Sequence, residues 1–216
     1  MDNSCKILYE AGEGEIVEKK SRFIAYLFPA NSEEEALERI TEIRKKHYDA
    51  RHNCFAYVIG DKNEIERCSD DGEPSGTAGR PMLEVLTGNG IHNAVAIVTR
   101  YFGGTLLGTG GLVRAYTAAM QEGLKNSVVM TRHLGIKLRV KTDYNGVGKL
   151  QYISRTMGLH EMDTIYANDV EMFLLVPQDD IEKVEKEVTE QTAGKAELER
   201  METLRYGQAG QEVIYL

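Results

Sequence analysis

One segment constrains this chain more than any other. Ala94-Val95-Ala96-Ile97-Val98-Thr99-Arg100-Tyr101 is apolar and β-branched almost without a break, the composition of a strand. It runs into Phe102-Gly103-Gly104-Thr105-Leu106-Leu107-Gly108-Thr109-Gly110-Gly111-Leu112-Val113-Arg114, with five glycines in nine residues. The loop then opens a helix over about 111–124, with Thr109 as its N-cap. Exposed backbone N–H groups at such a junction make an anion site, and Arg100 and Arg114 stand near to add charge. The other reading of the glycines is close packing of helix on strand. Each glycine costs about 0.5–1 kcal/mol against alanine in regular structure, and packing alone rarely demands so many.

The remaining elements arrange themselves around this unit. Upstream, strands are expected over 14–18 and 22–28. Ser32 with Glu35 is a capping box for a helix reaching about 47. A strand over 53–59 has an apolar face continuous enough to be central, and a shorter one covers 64–68. A helix over 81–86 and a last strand over 127–130 complete this half. Downstream, 136–141 alternates apolar and basic residues, as a half-buried strand does. Asp143 caps a helix ended by Gly158. Strands follow over 160–166 and 170–176, with a turn at Asn168-Asp169. Pro177 and Asp179 then open a helix carrying Ile181, Val184 and Val188 that fades at Gly194. A strand over 198–206 precedes a tail. The order β-α-β-β-α-β is the ferredoxin-like split motif. The expectation is an α+β protein with domains at 1–134 and 135–216.

Charge and composition exclude several functions. With 42% hydrophobic and 28% charged residues, the 216-residue chain can bury a real core. No apolar run approaches the ~20 residues of a membrane helix. The first residues lack the layout of a secretory signal, so a cytoplasmic location is expected. Cys5, Cys54 and Cys68 form no disulfide framework, and the five histidines show no zinc-like spacing. No metal or cofactor is expected. The net charge of −8 argues against coating nucleic acid by bulk charge, and neither half is basic. Gly108-Thr109-Gly110-Gly111-Leu112-Val113 ends on valine where a dinucleotide fingerprint needs glycine. Gly103 and Gly108 have P-loop spacing, but Thr109 stands where lysine is required.

A second segment carries chemistry: Asp70-Asp71-Gly72-Glu73-Pro74-Ser75-Gly76-Thr77-Ala78-Gly79-Arg80-Pro81. Asp70, Asp71 and Glu73 sit among residues that force turns. They could hold Mg²⁺ or present acid and base groups. They could equally complement a helix N-terminus. Ser75 with His52 imitates a hydrolase pair only weakly, and Cys54 inside an apolar strand reads as a core thiol. Arg44, Lys45, Lys46, His47, Arg51 and His52 form a basic stretch at a helix C-terminus. The dipole accounts for part of it and phosphate contacts would account for the rest. Lys19, Lys20 and Arg22 are surface charge unless they join a patch.

Ser21-Arg22-Phe23, then His52-Asn53-Cys54-Phe55-Ala56-Tyr57, then 70–81, then 100–116, resemble in order and spacing the motifs of the IMPACT N-terminal domain. The second half is similar to the C-terminal domain of bacterial YigZ-type members. The resemblance implies a first half like the second domain of a small-subunit ribosomal protein, a fold shared with galactokinase-type enzymes. It implies a second half like the last domain of elongation factor G. Eukaryotic members act in the amino-acid-starvation response, partly through an added N-terminal domain that this chain is expected to lack.

The expectation is therefore a translation-associated regulatory protein contacting RNA or a ribosome-linked partner, and no membrane. Arg100, Gly103, Gly104, Gly108, Gly110, Gly111 and Arg114 would face phosphate, flanked by Arg22, Arg51 and His52. One alternative is an enzyme in which Asp70, Asp71 and Glu73 hold a metal while the glycine loop holds a phosphorylated substrate. The other is a module for protein interaction alone.

Overall fold

The computed structural model describes residues 4–209 and 212–216, which divide into a unit of Cys5–Met130 and one of Thr131–Leu216 with Ser4. The first unit contains, in order, β1 (Cys5–Glu10), β2 (Gly12–Glu18), β3 (Ser21–Pro29), α1 (Glu33–Lys46), β4 (His52–Ile59), β5 (Ile65–Ser69), α2 (Gly79–Gly88), β6 (Ile91–His92), β7 (Ala94–Tyr101) and α3 (Thr109–Lys125). Five strands form an antiparallel sheet in the order β2-β3-β7-β4-β5. Strand β7 is central and buried on both faces, which is why its apolar run has no polar alternation. Ala94, Ala96 and Val98 face α2 and α3, with Phe23, Leu27, Met82 and Tyr116. Val95 and Ile97 face α1, against Ala36, Ile40 and Ile43, which recur at helical spacing. The sheet is thus sandwiched between helices.

The capping box forms with a shift of one residue. Ser32 Oγ accepts from Glu35 N at 3.2 Å, while the Glu35 carboxylate accepts from Asn31 N at 2.8 Å. Strand β1 was not expected; it is short and pairs in parallel with the two-residue β6. A close approach of helix to strand also lies away from the glycine loop. A Cβ on Gly14 would come within 2.3 Å of Gly123 N, so α3 lies directly on β2.

In the second unit, β8 (Val128–Thr142) merges the two strands expected over 127–130 and 136–141. Gly135 makes no turn there. It leaves room for Leu175 and Tyr206, whose side chains would meet a Cβ at 2.7 and 3.0 Å. Next come α4 (Val147–Met157), β9 (His160–Tyr166), β10 (Val170–Pro177), a short 3-10 turn, α5 (Ile181–Thr192), β11 (Glu197–Ala209) and β12 (Glu212–Tyr215). Asp143 accepts from Gly146 N at 2.9 Å, so it closes a turn and the helix begins four residues later. Gly158 ends that helix in the left-handed region, φ 65°. The strand order β9-β10-β8-β11 is the ferredoxin-like one, and α4 and α5 cover one face through Leu150, Ile153, Val184 and Val188. The expected tail instead pairs as β12 along β11. No helix among the described residues is long and apolar enough to cross a membrane.

Candidate functional site

The period of β7 decides the site. Ala94, Ala96 and Val98 point toward α2 and α3, and the next residue in that alternation is Arg100. Arg100 lies opposite Phe23 on β3 and opposite His52 on β4. Its guanidinium is therefore carried inward, and the residue is only 6% exposed. A buried charge needs a partner. Glu73, 8% exposed, supplies it from the acidic loop. Arg100 Nη1 donates to Glu73 Oε1 at 2.7 Å and to Oε2 at 3.0 Å, and the Tyr116 hydroxyl donates to Oε1 at 2.9 Å. The guanidinium carbon stands 5.3 Å from the Phe23 ring and 5.6 Å from Phe102. Arg100 Nε is buried with no hydrogen-bond partner.

This pair forms one wall of a cavity of about 450 Å³. Gly72, Glu73 and Pro74 line it from the acidic loop. Phe102, Leu106, Leu107, Gly108 and Thr109 line it from the glycine loop, with Leu112 from α3. Arg51, His52 and Arg100 complete the lining. The fold thus joins the two segments singled out in the sequence. His52 Nδ1 lies 2.9 Å from the Asp71 carbonyl oxygen. A carbonyl can only accept, so Nδ1 carries the proton and Nε2 is the ring's remaining nitrogen.

The start of α3 is open. Gly108 occupies the N-cap with φ 73°, which glycine adopts readily, and no side chain caps the helix. Thr109 is the first helical residue, not the cap. Gly103 has a packing reason, since a Cβ there would lie 2.0 Å from the Lys20 carbonyl carbon. Gly110 has none: a Cβ would meet only Arg114 Nη1, at 3.6 Å. Arg114 and Arg51 are exposed and form no hydrogen bond or ion pair with the described residues. Gly103, Gly104, Gly110, Gly111 and Arg114 lie outside the cavity lining. Arg22 is engaged elsewhere, in a two-bond pair with Glu15 at 2.9 Å for each bond.

The three carboxylates of the acidic loop diverge. Burial raises the Asp70 pKa, but N–H groups of Gly76, Ala78 and Gly79 outweigh it and hold the carboxyl below its usual range. Asp70 thus completes the N-terminus of α2. Asp71 accepts from Asn53 N at 2.7 Å and from Arg44 at 2.9 Å. Glu73 holds Arg100. No group of three or more His, Cys, Asp or Glu residues is placed to bind a metal among the described residues. Ser75 is exposed in this loop. Cys54 is fully buried, with Sγ 3.0 Å from the Asp70 carbonyl and 3.3 Å from the Tyr116 hydroxyl. Burial pushes its thiol up to about 12, so it stays protonated at neutral pH.

The basic stretch at the end of α1 also divides. Arg44 is paired, Lys46 Nζ sits 4.4 Å from the Tyr26 ring centre, and His47 bridges the Tyr26 and Tyr101 hydroxyls. Only Arg51 and His52 reach the cavity. Sequence reasoning missed the Glu73–Arg100–Tyr116 cluster. The signal was the two-residue alternation of β7, which places a charge on the core face.

Comparison with known proteins agrees with this architecture. The Impact N-terminal domain matches residues 19–124, and a domain of unknown function, DUF1949, matches 140–195. IMPACT family member YvyE of Bacillus subtilis is 44% identical over 193 residues, 89% of each chain. IMPACT family member YigZ of Escherichia coli is 48% identical over 109 residues, 50% of this chain and 53% of its own. A crystal structure described as that of a hypothetical protein superposes with a TM-score of 0.60 at 31% identity, covering 94% of this chain and 98% of its own. On these matches, which span both units, the chain belongs to the IMPACT family.

Proposed function

We propose that this protein is a translation-associated regulatory binding protein, and that its cavity is where it holds the phosphates of RNA, free or displayed on the ribosome. One observation carries the reading. Two exposed arginines without partners among the described residues, Arg51 in the cavity lining and Arg114 just outside it beside Gly110, stand with the uncapped N-terminus of a 17-residue helix. Orphan N–H groups and the helix dipole favour an anion there, and guanidinium suits phosphate. The net charge of −8 makes such binding local. The setting in translation is supported by family membership and by the resemblance of the domains to those of ribosomal proteins and elongation factors. The metal-dependent alternative loses support, because Asp70, Asp71 and Glu73 each serve the fold.

The test is filter binding of single-stranded RNA and co-sedimentation with ribosomes, each at two salt concentrations. Wild type should bind RNA with a steep salt dependence. Arg51→Ala with Arg114→Ala should flatten the log–log salt slope by roughly 1.4, about 0.7 for each lost phosphate contact. Unchanged RNA and ribosome binding in the double variant would remove the cavity from the role.

A further inference from the structure

We infer that the cavity takes a single phosphorylated nucleotide end-on: a nucleoside monophosphate, either free or as the phosphorylated terminus of an RNA strand. This rests on the phosphate-binding reading above and narrows it to one chemical group.

Four features point to a terminal group. The volume, about 450 Å³, lies within the roughly 300–1,000 Å³ of small-molecule sites and suits one nucleotide, not a duplex. The cavity is closed at its inner end by the buried Glu73–Arg100 pair, so a continuous backbone cannot thread past that wall. Its lining is divided by chemistry. Phe102, Leu106, Leu107 and Leu112 are apolar, while Arg51, His52 and Arg100 are polar. Phe102 is half exposed and already stacks over the Arg100 guanidinium, which in turn faces Phe23. A base laid on the open face of Phe102 extends that stack.

The charges also favour a monoester. A helix N-terminus alone would not define a site. Here the cavity itself adds the independent observation, because the helix start at Gly108 and Thr109 shares its lining with His52 and with Arg51, an exposed guanidinium that has no partner among the described residues. The Glu73 carboxylate in the wall is already engaged by Arg100 and Tyr116. Arg51 and the roughly half charge of the helix end together match a terminal phosphate, about −1.5 to −2 at pH 7. An internal phosphodiester, with one charge, would leave part of that field unanswered.

The test uses the full chain and one eight-nucleotide RNA carrying a 5′-phosphate, a 3′-phosphate or only hydroxyl ends, with AMP and adenosine as competitors. One phosphorylated end should bind about tenfold tighter than the hydroxyl form. AMP should compete and adenosine should not. Phe102→Ala should weaken the phosphorylated RNA roughly tenfold while leaving its melting temperature near wild type. Leu106→Ala, at a side chain 83% exposed, is the second variant should the first fold poorly. RNA binding indifferent to end phosphates, with no competition from AMP, overturns the inference and leaves the RNA reading standing. AMP binding without RNA binding upholds the inference and overturns that reading. Silence toward both overturns both.

Discussion

Two basic regions of this protein have opposite fates. On the second unit's sheet, Lys137, Arg139 and Lys141 alternate with the core residues Leu138 and Val140 and so share the face away from the helices. Each has an acid. Arg139 makes a two-bond pair with Glu171 at 2.6 and 2.9 Å and a further bond to Glu199, Lys137 reaches Glu202, and Lys141 reaches Asp169. At the first unit's cavity, Arg51 has no such partner among the described residues, and neither has Arg114 just outside the lining. The strand with the more obvious basic pattern is thus the neutralised one. A cation count along the chain does not locate an anion site; the cations left over after pairing do.

The comparison breaks hardest at its buried pair. Glu73→Ala would leave the Arg100 guanidinium buried and uncompensated, a loss on the order of 3–5 kcal/mol. Glu171→Ala should cost far less, because the Arg139–Glu171 pair is only half-buried and still meets solvent. Urea unfolding of the two variants measures the difference. Equal midpoints would mean that the Glu73–Arg100 pair is more hydrated than its geometry implies.

Binding gives the next largest effect. Arg51→Ala should weaken RNA and reduce its salt slope, whereas Arg139→Ala should leave both unchanged. Filter binding across a salt series separates them. Loss of binding in Arg139→Ala would move the interface to the sheet face and overturn the contrast between paired and unpaired cations.

Gly110 sharpens the same contrast between fold and ligand. It lies in the first turn of α3 with almost nothing around a would-be Cβ. Gly110→Ala should therefore stabilise the helix by about 0.5–1 kcal/mol. It should also hinder a phosphate at the helix N-terminus. A protein that melts higher and binds RNA less well is the expected result. Higher melting with unchanged affinity would show that the backbone at Gly110 is not approached by the ligand.

The parts of the fold that were legible in the sequence are those set by local pattern. The ferredoxin-like order followed from alternation and from Gly158, and the α1 cap from Ser32 and Glu35. Elements that depend on distant partners were not legible. Strand β1 pairs with β6 across more than eighty residues, and β12 pairs with β11. At the site, the cavity joins the two segments that the residues had marked. The inward turn of Arg100 was readable from Ala94, Ala96 and Val98. Its partner was not, since Glu73 lies 27 residues away on a loop whose path no local pattern fixes.

The smallest effect expected is at acid pH, where the two regions should again diverge. Asp70 and Glu171 both have pKa values below the usual carboxylate range, from different main opposing forces. In Asp70, burial raises the value and three backbone N–H groups more than offset it; in Glu171, the hydrogen bond from Arg139 leads. A depressed folded-state pKa contributes stability above the unfolded value, and that contribution is lost as pH falls through the folded one. Asp70→Asn should therefore be less stable than wild type at neutral pH, with the gap closing below about pH 4. Glu171→Gln should show the same sign at low salt. In 1 M salt, where screening acts within about 3 Å, its gap should shrink, while the gap of Asp70→Asn persists because fixed, partly buried N–H donors hold that carboxylate. Urea midpoints from pH 6 to pH 3 at two salt concentrations measure both. A gap at Asp70 that ignores pH would mean that the carbonyl oxygen of asparagine caps α2 as well as a charge does. The acidic loop would then be shaped by hydrogen bonding alone.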